Sequence, residues 1–163
     1  MIYLLNTRTI TKMQIKNKTY KYLNGSKLKA CIVVARWNEK ITNGLLASAL
    51  SALKKCKMAQ KNIRLVYVAG SVELPFALHQ VAKLSKLKKP NFLVALGCVM
   101  RGETPHFDYV AKMAQEGALE VMLEDDIPVG FGVLTVNNLK QAKARTHVGG
   151  EAALAALELA LIR

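Results

Sequence analysis

The amino-acid sequence predicts an α/β fold, a three-layer α/β/α sandwich in which a four-stranded parallel sheet carries helices on both faces. Four short segments are apolar or β-branched at nearly every position, which is typical of parallel strands covered on both sides. Segments with apolar residues at three- and four-residue spacing lie between them. Because strands that alternate with helices favour right-handed crossovers within one sheet, we expect a doubly wound sandwich.

The predicted elements follow one another from residue 30 onward. The four strands are residues 30–35, 63–69, 92–99 and 129–135. Residues 43–55 are predicted to form the first helix, because Leu46, Ala49, Leu50 and Leu53 share one face. The second helix follows Glu73, where Pro75 suits the first turn. In the third helix, apolar residues recur at helical spacing between Phe107 and Val121.

The C-terminal region predicts two helices of different character. Residues 137–145 form a polar, basic pattern, whereas residues 151–162 (EAALAALELALI) are apolar almost all round. A terminal helix without a polar face is expected to pack on a neighbouring subunit as well as on its own sheet. The sequence therefore predicts an oligomer.

Length and composition exclude several protein classes. The chain has 163 residues, which is the size of one domain. Its hydrophobic content of 52% is too high for a disordered protein. No apolar run approaches the roughly 18 residues of a membrane span, so we expect no membrane as a partner.

The cysteines and histidines favour neither disulfides nor a metal site. The three cysteines are widely spaced, and Cys31 and Cys98 lie in apolar runs. We therefore expect buried, reduced side chains and a cytoplasmic protein. The histidines, His79, His106 and His147, form no group with metal-ligand spacing, so we expect no metal ion.

Positive charge is concentrated near the N-terminus. The net charge is +13, and residues 1–38 carry eight basic residues and no acidic one, whereas the rest has sixteen against eleven. The folded body is therefore only moderately basic, which argues against nucleic acid as the main partner. Residues 1–26 lack the apolar core of a secretory signal. We expect them to form a basic extension, either a flexible tail or an added strand, with Met13 as an alternative start. The domain would then comprise residues 27–163.

Unusual residues follow three of the predicted strands. The first strand runs into Trp37, the only tryptophan of the chain. The second runs into residues 70–73 (GSVE), and the third into residues 101–106 (RGETPH). Ligands of open parallel sheets lie beyond the carboxyl ends of the strands. The three corners therefore form one candidate site for a small molecule.

The third corner has the features of an anion-binding helix start. Thr104 suits an N-cap, Pro105 the first helical position, and Asp108 the positive end of the helix dipole. Free backbone N–H groups at such a start can hold a phosphate, and His106 would lie beside it. Gly102 would let the chain approach a ligand closely.

Each of these features also has a structural interpretation. Trp37 could serve packing alone, Glu73 could simply cap a helix, and His106 could be structural. Taken without further information, the residues therefore indicate a small-molecule site and no particular reaction.

Several blocks of the sequence resemble the 6,7-dimethyl-8-ribityllumazine synthases in order and spacing. They are residues 35–42, 70–75, 96–110, 131–135 and 151–158. The segment RGETPHFDYV within the third block is highly specific, and the similarity spans about residues 28–162. The resemblance implies a flavodoxin-like sandwich and a homopentamer with sites shared between adjacent subunits. Some relatives assemble further into icosahedral shells.

The resemblance also implies an activity. Members of this family are transferases of riboflavin biosynthesis. They condense 5-amino-6-(D-ribitylamino)uracil with 3,4-dihydroxy-2-butanone 4-phosphate to 6,7-dimethyl-8-ribityllumazine, and release phosphate and water. They need no metal or organic cofactor. We therefore expect two small-molecule substrates, no cofactor and no nucleic acid.

Roles in the family carry over to the matching positions of this sequence. His106 matches the general acid/base, which suits an imidazole because it exchanges protons near neutral pH. Trp37 matches an aromatic side chain that stacks on the heterocycle. Ser71, Val72 and Glu73 match the segment that holds the pyrimidine and the ribityl hydroxyls.

Two further groups of positions match residues that line the ring and the phosphate. The strand end beside the ring matches Cys98, Val99 and Met100, and the phosphate corner matches Gly102, Glu103 and Thr104.

Phe131 and Arg145 match residues that reach in from the neighbouring subunit. Arg145 would clamp the phosphate, since a planar guanidinium can grip it with two hydrogen bonds. The connection 146–150 (THVGG) that follows is shorter than in relatives and lacks a lysine that they carry. We therefore expect Arg145 to act without that lysine, and a pentamer rather than a shell.

Two other functions are open at this point. A non-catalytic protein could bind a flavin or lumazine in the same pocket, and an assay of lumazine formation separates it from the synthase. A nucleic-acid-associated protein would depend on the basic residues 1–26, and salt-sensitive retention on DNA or RNA would support it.

Overall fold

Four strands form one sheet in a computed structural model of the chain, which describes residues 23–162. They are β1 (Ala30–Ala35), β2 (Ile63–Val68), β3 (Phe92–Met100) and β4 (Val129–Val136), in the spatial order β2-β1-β3-β4. All neighbouring strands are parallel, so each connection must cross over, and helices make these crossovers. The predicted α/β class and all four predicted strands are confirmed.

Five helices of the described residues cover the two faces of the sheet. They are α1 (Glu39–Lys55), α2 (Leu74–Ala82), α3 (His106–Glu124), α4 (Leu139–Lys143) and α5 (Val148–Leu161). α1 and α5 pack on one face, and α2 and α3 pack on the other. The three-layer sandwich is thus confirmed. Nowhere in residues 23–162 is a helix long and apolar enough to cross a membrane.

Alternate side chains of β1 belong to opposite halves of the core. Ile32 and Val34 pack with α1 and α5, whereas Cys31 and Val33 pack with α2 and α3. This division follows from the strand geometry, in which successive side chains point to opposite faces. Every residue of β1 is buried, and so is nearly all of β3. The two central strands therefore agree with the prediction of strands covered on both faces.

The edge strand β2 departs from that prediction. Leu65 is 38% exposed and Tyr67 is 48% exposed. They pair with Ile32 and Val34 of β1, whose side chains face α1 and α5. These two helices therefore leave part of β2 uncovered in this chain. The prediction of full burial is wrong for β2, because an apolar pattern does not distinguish an edge strand from a central one.

Three helices begin or end away from their predicted bounds. α1 begins at Glu39 rather than at residue 43, directly after Asn38. α4 is confined to five residues within the predicted 137–145, and the side chain of Asn138 caps it by accepting from the Gln141 backbone N–H (2.9 Å). α5 begins at Val148 rather than at residue 151. Helix ends depend on such local bonds, which spacing alone does not reveal.

Close contact between α5 and α1 requires a glycine. A Cβ atom at Gly149 would collide with the backbone carbonyl of Leu45 in α1. One side of α5 is buried by this contact, whereas Leu159 and Leu161 remain exposed over 44% and 41% of their surface. Packing of that second side on a neighbouring subunit stays a prediction.

The described residues that precede β1 pack on the domain. Leu23 is buried in the half of the core that contains α1 and α5. The backbone N–H of Gly25 donates to the carbonyl of Cys56 (2.8 Å). Residues 1–22, which make up most of the predicted basic extension, lie outside the described residues.

Candidate active site

The carboxyl ends of β1, β2 and β3 meet at one edge of the sheet, and the corners that follow them surround a pocket of about 440 Å³. This is the position at which open parallel sheets bind their ligands. The pocket is lined by Trp37, Asn38, Gly70, Ser71, Val72, Glu73, Cys98, Val99, Met100, Gly102, Thr104, His106, Phe107 and Val110. Apolar walls with a few polar groups are typical of small-molecule sites.

Most of the predicted site residues come together here. Those that line the pocket are Trp37, Ser71, Val72, Glu73, Cys98, Val99, Met100, Gly102, Thr104 and His106. The parallel topology explains this result, because it brings the ends of neighbouring strands to the same edge. Asn38, Gly70, Phe107 and Val110 also line the pocket, although no individual role was predicted for them from the sequence.

The first corner presents an exposed aromatic side chain to the pocket. The backbone N–H of Trp37 donates to the carbonyl of Ala69 (2.9 Å), which extends the pairing of β1 and β2. The Trp37 side chain is 73% exposed and therefore adds little to the core of this chain. This exposure disfavours the packing interpretation and leaves a flat indole face for a flat ligand.

Asn38 ties the first corner to β3. Its backbone is left-handed (φ 63°, ψ 41°), a conformation that asparagine tolerates better than most residues. Its Nδ2 donates to the carbonyl oxygen of Cys98 at 2.8 Å. In the sequence, this contribution of Asn38 was indicated only by the presence of an asparagine at a strand-to-helix junction. Its partner, 60 residues away along the chain, was not foreseeable.

The second corner is a 3₁₀ turn, Ser71–Glu73, held by a carboxylate. Glu73 Oε2 accepts from the backbone N–H of Gly70 at 2.7 Å. Ser71 is buried against β3, where a Cβ atom at Gly97 would lie only 2.6 Å from Ser71 Oγ. The predicted cap of the following helix is not observed, because the Glu73 side chain makes no capping bond to α2. Its bond to Gly70 closes the 3₁₀ turn instead. It does not exclude a ligand contact, because the second carboxylate oxygen takes no part in this bond.

At the third corner α3 begins at His106, one residue later than predicted. Pro105 precedes it, and Thr104 Oγ1 accepts from the His106 N–H over a long distance of 3.5 Å. The first backbone N–H groups of a helix have no partner within it, so this start can receive an anion. A Cβ atom at Gly102 would meet nothing within 4 Å. Packing within this chain therefore does not require a glycine at Gly102.

An ion pair braces the third corner. Arg101 Nη2 donates to Asp108 Oδ1 at 2.9 Å, and Nη1 donates to Oδ2 at 3.3 Å. The guanidinium carbon of Arg101 also lies 4.2 Å from the centre of the Phe107 ring. Both charged side chains are about half exposed, so the pair adds little to global stability. Its two-pronged geometry nevertheless restrains the segment between β3 and α3.

Three predicted site residues lie outside this pocket. Glu103 is exposed beside it. Phe131, 38% exposed, lies on the edge strand β4. Arg145, exposed after α4, donates through Nη1 to the carbonyl of Gln141 (3.0 Å). A single chain therefore does not bring Phe131 or Arg145 to its own pocket.

The thiol of Cys98 forms part of the apolar wall. Burial raises the pKa of this thiol to about 11, so it is protonated at neutral pH and is not a nucleophile. All three cysteines are buried, as predicted. Within residues 23–162, no three His, Cys, Asp or Glu side chains are grouped so that they could hold a metal ion.

Comparisons with known proteins agree with this geometry. The family model described as 6,7-dimethyl-8-ribityllumazine synthase matches residues 27–163. The chain is also 40% identical over 144 residues to the 6,7-dimethyl-8-ribityllumazine synthase of Kosmotoga olearia, and the match covers 85% of this chain and 90% of that protein. The chain therefore belongs to the 6,7-dimethyl-8-ribityllumazine synthase family.

Proposed function

We propose that the pocket beside α3 is the active site in which this chain condenses 5-amino-6-(D-ribitylamino)uracil with 3,4-dihydroxy-2-butanone 4-phosphate. The product is 6,7-dimethyl-8-ribityllumazine, with release of phosphate and water, in riboflavin biosynthesis. One observation carries the proposal: a histidine at a helix start, an exposed indole and a polar turn line a single pocket. Family membership identifies the reaction that these groups serve.

The start of α3 supplies the phosphate site. A helix of this length presents unpaired N–H groups and the positive end of its dipole at His106. Gly102 and Thr104 line the pocket next to that start. The phosphate of the butanone would bind between them and the first turn of α3. Glu103 would contribute its backbone rather than its exposed side chain.

The position of His106 suits it to proton transfer. It lines the pocket in the first turn of α3, beside the proposed phosphate. Imine formation, phosphate elimination and ring closure each move a proton, and an imidazole can both accept and donate one near neutral pH. Such a group typically contributes about 10²–10⁴-fold to a rate. The remaining acceleration would come from holding two substrates together in one pocket.

The other two corners would hold the pyrimidine substrate. The indole of Trp37 and the end of β3 (Cys98, Val99, Met100) offer apolar surfaces to the flat ring. Ser71, Val72 and Glu73 supply backbone groups and a carboxylate for the ring edge and the ribityl hydroxyls.

We also propose a homopentamer in which Phe131 and Arg145 complete the pocket of the neighbouring subunit. Both side chains are exposed and lie away from the pocket of their own chain. Exposed apolar side chains on α2 and α3 provide surface for such contacts: Phe76, Tyr109, Met113, Leu119 and Leu123. Native mass spectrometry would give five copies per particle, and a shell-sized particle would contradict the pentamer.

Residues 27–163 would form the catalytic domain, acting in the cytoplasm. Buried, unpaired cysteines fit a reducing compartment. Leu23 packs on the domain, so residues 1–22 are the part of the basic extension to delete in a test. A chain lacking them should retain lumazine formation, and loss of all activity would assign the extension to the catalytic unit.

The decisive assay combines both substrates with the purified chain in the presence of a metal chelator. Lumazine formation, followed by its absorbance and fluorescence, should exceed the spontaneous rate. A rate equal to the uncatalysed one, together with measurable binding of lumazine, would instead identify a non-catalytic binding protein.

A further inference from the structure

A second concavity lies at the amino end of the sheet, opposite the candidate active site. It measures about 250 Å³ and opens beside the first residues of β1 and β2. Four basic side chains line it, Lys29, Lys61, Arg64 and Lys88. We call these four residues the basic pocket. It shares no residue with the active-site pocket.

The chain holds these residues on three separate segments. Lys29 immediately precedes β1, Arg64 lies on β2 paired with Cys31, and Lys88 lies in the connection before β3. Three hydrogen bonds join that connection to Lys29. The Lys29 N–H donates to Asn91 Oδ1 (2.7 Å), the Asn91 N–H donates to the Lys29 carbonyl (2.8 Å), and Lys29 Nζ donates to the Leu87 carbonyl (3.3 Å). The framework of the pocket is therefore held by one backbone–backbone bond and two bonds between a side chain and the backbone.

The positive charges of the basic pocket have no carboxylate partner in the described part of the chain. None of the ion pairs among residues 23–162 includes any of the four. No acidic residue lines the pocket. Asp125 approaches this end of the molecule, but its carboxylate pairs with His79 and Lys83. Further lysines lie on the same segments as Lys29 and Lys88, namely Lys27 before β1 and Lys86 and Lys89 in the connection before β3.

The positive potential extends to the floor of the pocket, where Cys31 lies. Burial raises the pKa of the Cys31 thiol to about 11, and the charge of Arg64 opposes this rise. Like charges gathered in a concavity repel one another, and an anion bound among them relieves this repulsion. One guanidinium and three ammonium groups, carried on three segments, match a ligand that has more than one phosphate, because each can bind a different oxygen.

We infer that the basic pocket binds a compact anion with two or three linked phosphate groups. The size and lining of the pocket favour such a ligand over a nucleic acid. Among residues 23–162, no aromatic side chain lines it on which a base could stack, and its volume suits a short phosphate chain. The anion could be free or form the tail of a nucleotide. The inference is independent of the proposed condensation.

Calorimetric titration of the full chain with inorganic triphosphate, without divalent metal, tests this inference. The variant carries K61A, R64A and K88A and keeps Lys29, whose ammonium fastens the connection before β3. The matched control carries K112A, K140A and K143A, which remove the same charge from helices outside the pocket. We expect affinity to fall by at least about tenfold in the first variant and to stay unchanged in the control. Lumazine formation should be unaffected in both.

Equal loss of affinity in both variants would show binding to overall charge alone and would overturn the inference, as would a wild-type chain that does not bind triphosphate. A single-stranded RNA that binds the basic pocket and is not displaced by triphosphate would overturn it in favour of a nucleic-acid surface.

If the triple variant unfolds, R64Q and K88A separately should each weaken binding. Triphosphate and ATP of equal affinity would identify the phosphate chain as the ligand, and tighter ATP binding would identify a nucleotide with the same tail.

Discussion

His106 and Asn38 contribute to the candidate pocket in two different ways at the scale of single residues. His106 faces the pocket from the first turn of α3, where an anion and a proton-transfer group can act side by side. Asn38 acts at a distance through the carbonyl of Cys98, which lines the same pocket. The imidazole would act on the substrate, whereas the asparagine would position the wall against which the substrate lies.

Replacement of His106 by alanine should lower kcat about 10²–10⁴-fold, because water would have to transfer the protons in place of the imidazole. The side chain is exposed, so the unfolding transition should move little. Stopped assays of lumazine and urea unfolding of the same preparations measure the two effects. A variant that keeps full kcat would show that His106 is structural.

Asn38→Gly and Asn38→Ala separate the side-chain bond from the backbone conformation. Both lose the 2.8 Å bond to Cys98, and kcat/KM should fall about 2–10-fold, as the loss of one neutral hydrogen bond implies. Glycine tolerates the left-handed conformation, whereas alanine should cost about 1 kcal/mol more in the free energy of unfolding. Unfolding curves and steady-state kinetics measure both quantities. Unchanged kcat/KM in the glycine variant would show that the bond from Asn38 to Cys98 has no effect on catalysis.

At the scale of elements, a buried carboxylate joins α2 to the end of α3. Asp125 directly follows α3, and its side chain is 1% exposed. Oδ2 lies 2.8 Å from His79 Nδ1 on α2, and Oδ1 lies 3.0 Å from Lys83 Nζ. Burial alone would raise the pKa of Asp125, but the bonds from Lys83 and His79 outweigh it, and the pKa lies below its ordinary value of 3.8.

Asp125→Asn should therefore destabilise the fold at neutral pH. Because the folded pKa is lowered, the carboxylate stabilises the fold above pH 3.8, and this contribution disappears as the pH falls through the folded value. The partners are 46% and 61% exposed, which limits the expected loss to about 1–2 kcal/mol. Urea unfolding at several pH values should show that the difference in the free energy of unfolding between the wild-type chain and the variant becomes smaller in acid.

A matched control for Asp125 is the exposed pair of Lys112 and Glu116 on α3, 3.8 Å apart. Lys112→Gln should leave the free energy of unfolding almost unchanged, since exposed pairs of this kind contribute little. If the destabilisation caused by Asp125→Asn does not vary with pH, it results from packing rather than from charge.

For the whole molecule, the positions of the predicted site residues bear on the proposed homopentamer. His106 lines the pocket, whereas Phe131 and Arg145 lie elsewhere on the surface. If these two complete the pocket of a neighbour, each interface joins two different surfaces, which is the arrangement that closes a ring.

Complementation between inactive variants tests this arrangement. His106→Ala and Arg145→Ala should each form little lumazine alone. Subunits of the two variants mixed in equal amounts should recover roughly a quarter of the wild-type rate, since a random quarter of the heterologous interfaces unites both intact residues. His106→Ala mixed with the double variant should recover nothing. Equal inactivity of both mixtures would contradict a site that is shared between neighbouring subunits.

The sequence by itself determined the class of fold, the four strands and the location of the candidate pocket. Apolar runs mark buried strands wherever they occur, and the parallel order then places the residues after Ala35, Val68 and Met100 at one edge. Helix ends were less certain, because they depend on local backbone bonds such as the cap at Asn138.

Only the tertiary structure decided which distant groups meet. The bond from Asn38 to Cys98 and the contact of His79 with Asp125 join residues 60 and 46 positions apart. The basic pocket likewise combines three segments that no sequence spacing relates. The exposure of Tyr67 on β2 also appeared only in the structure. The spacing of apolar residues along the chain indicates which face of a helix or strand is buried. Which residue of another element lies against that face depends on how the layers pack.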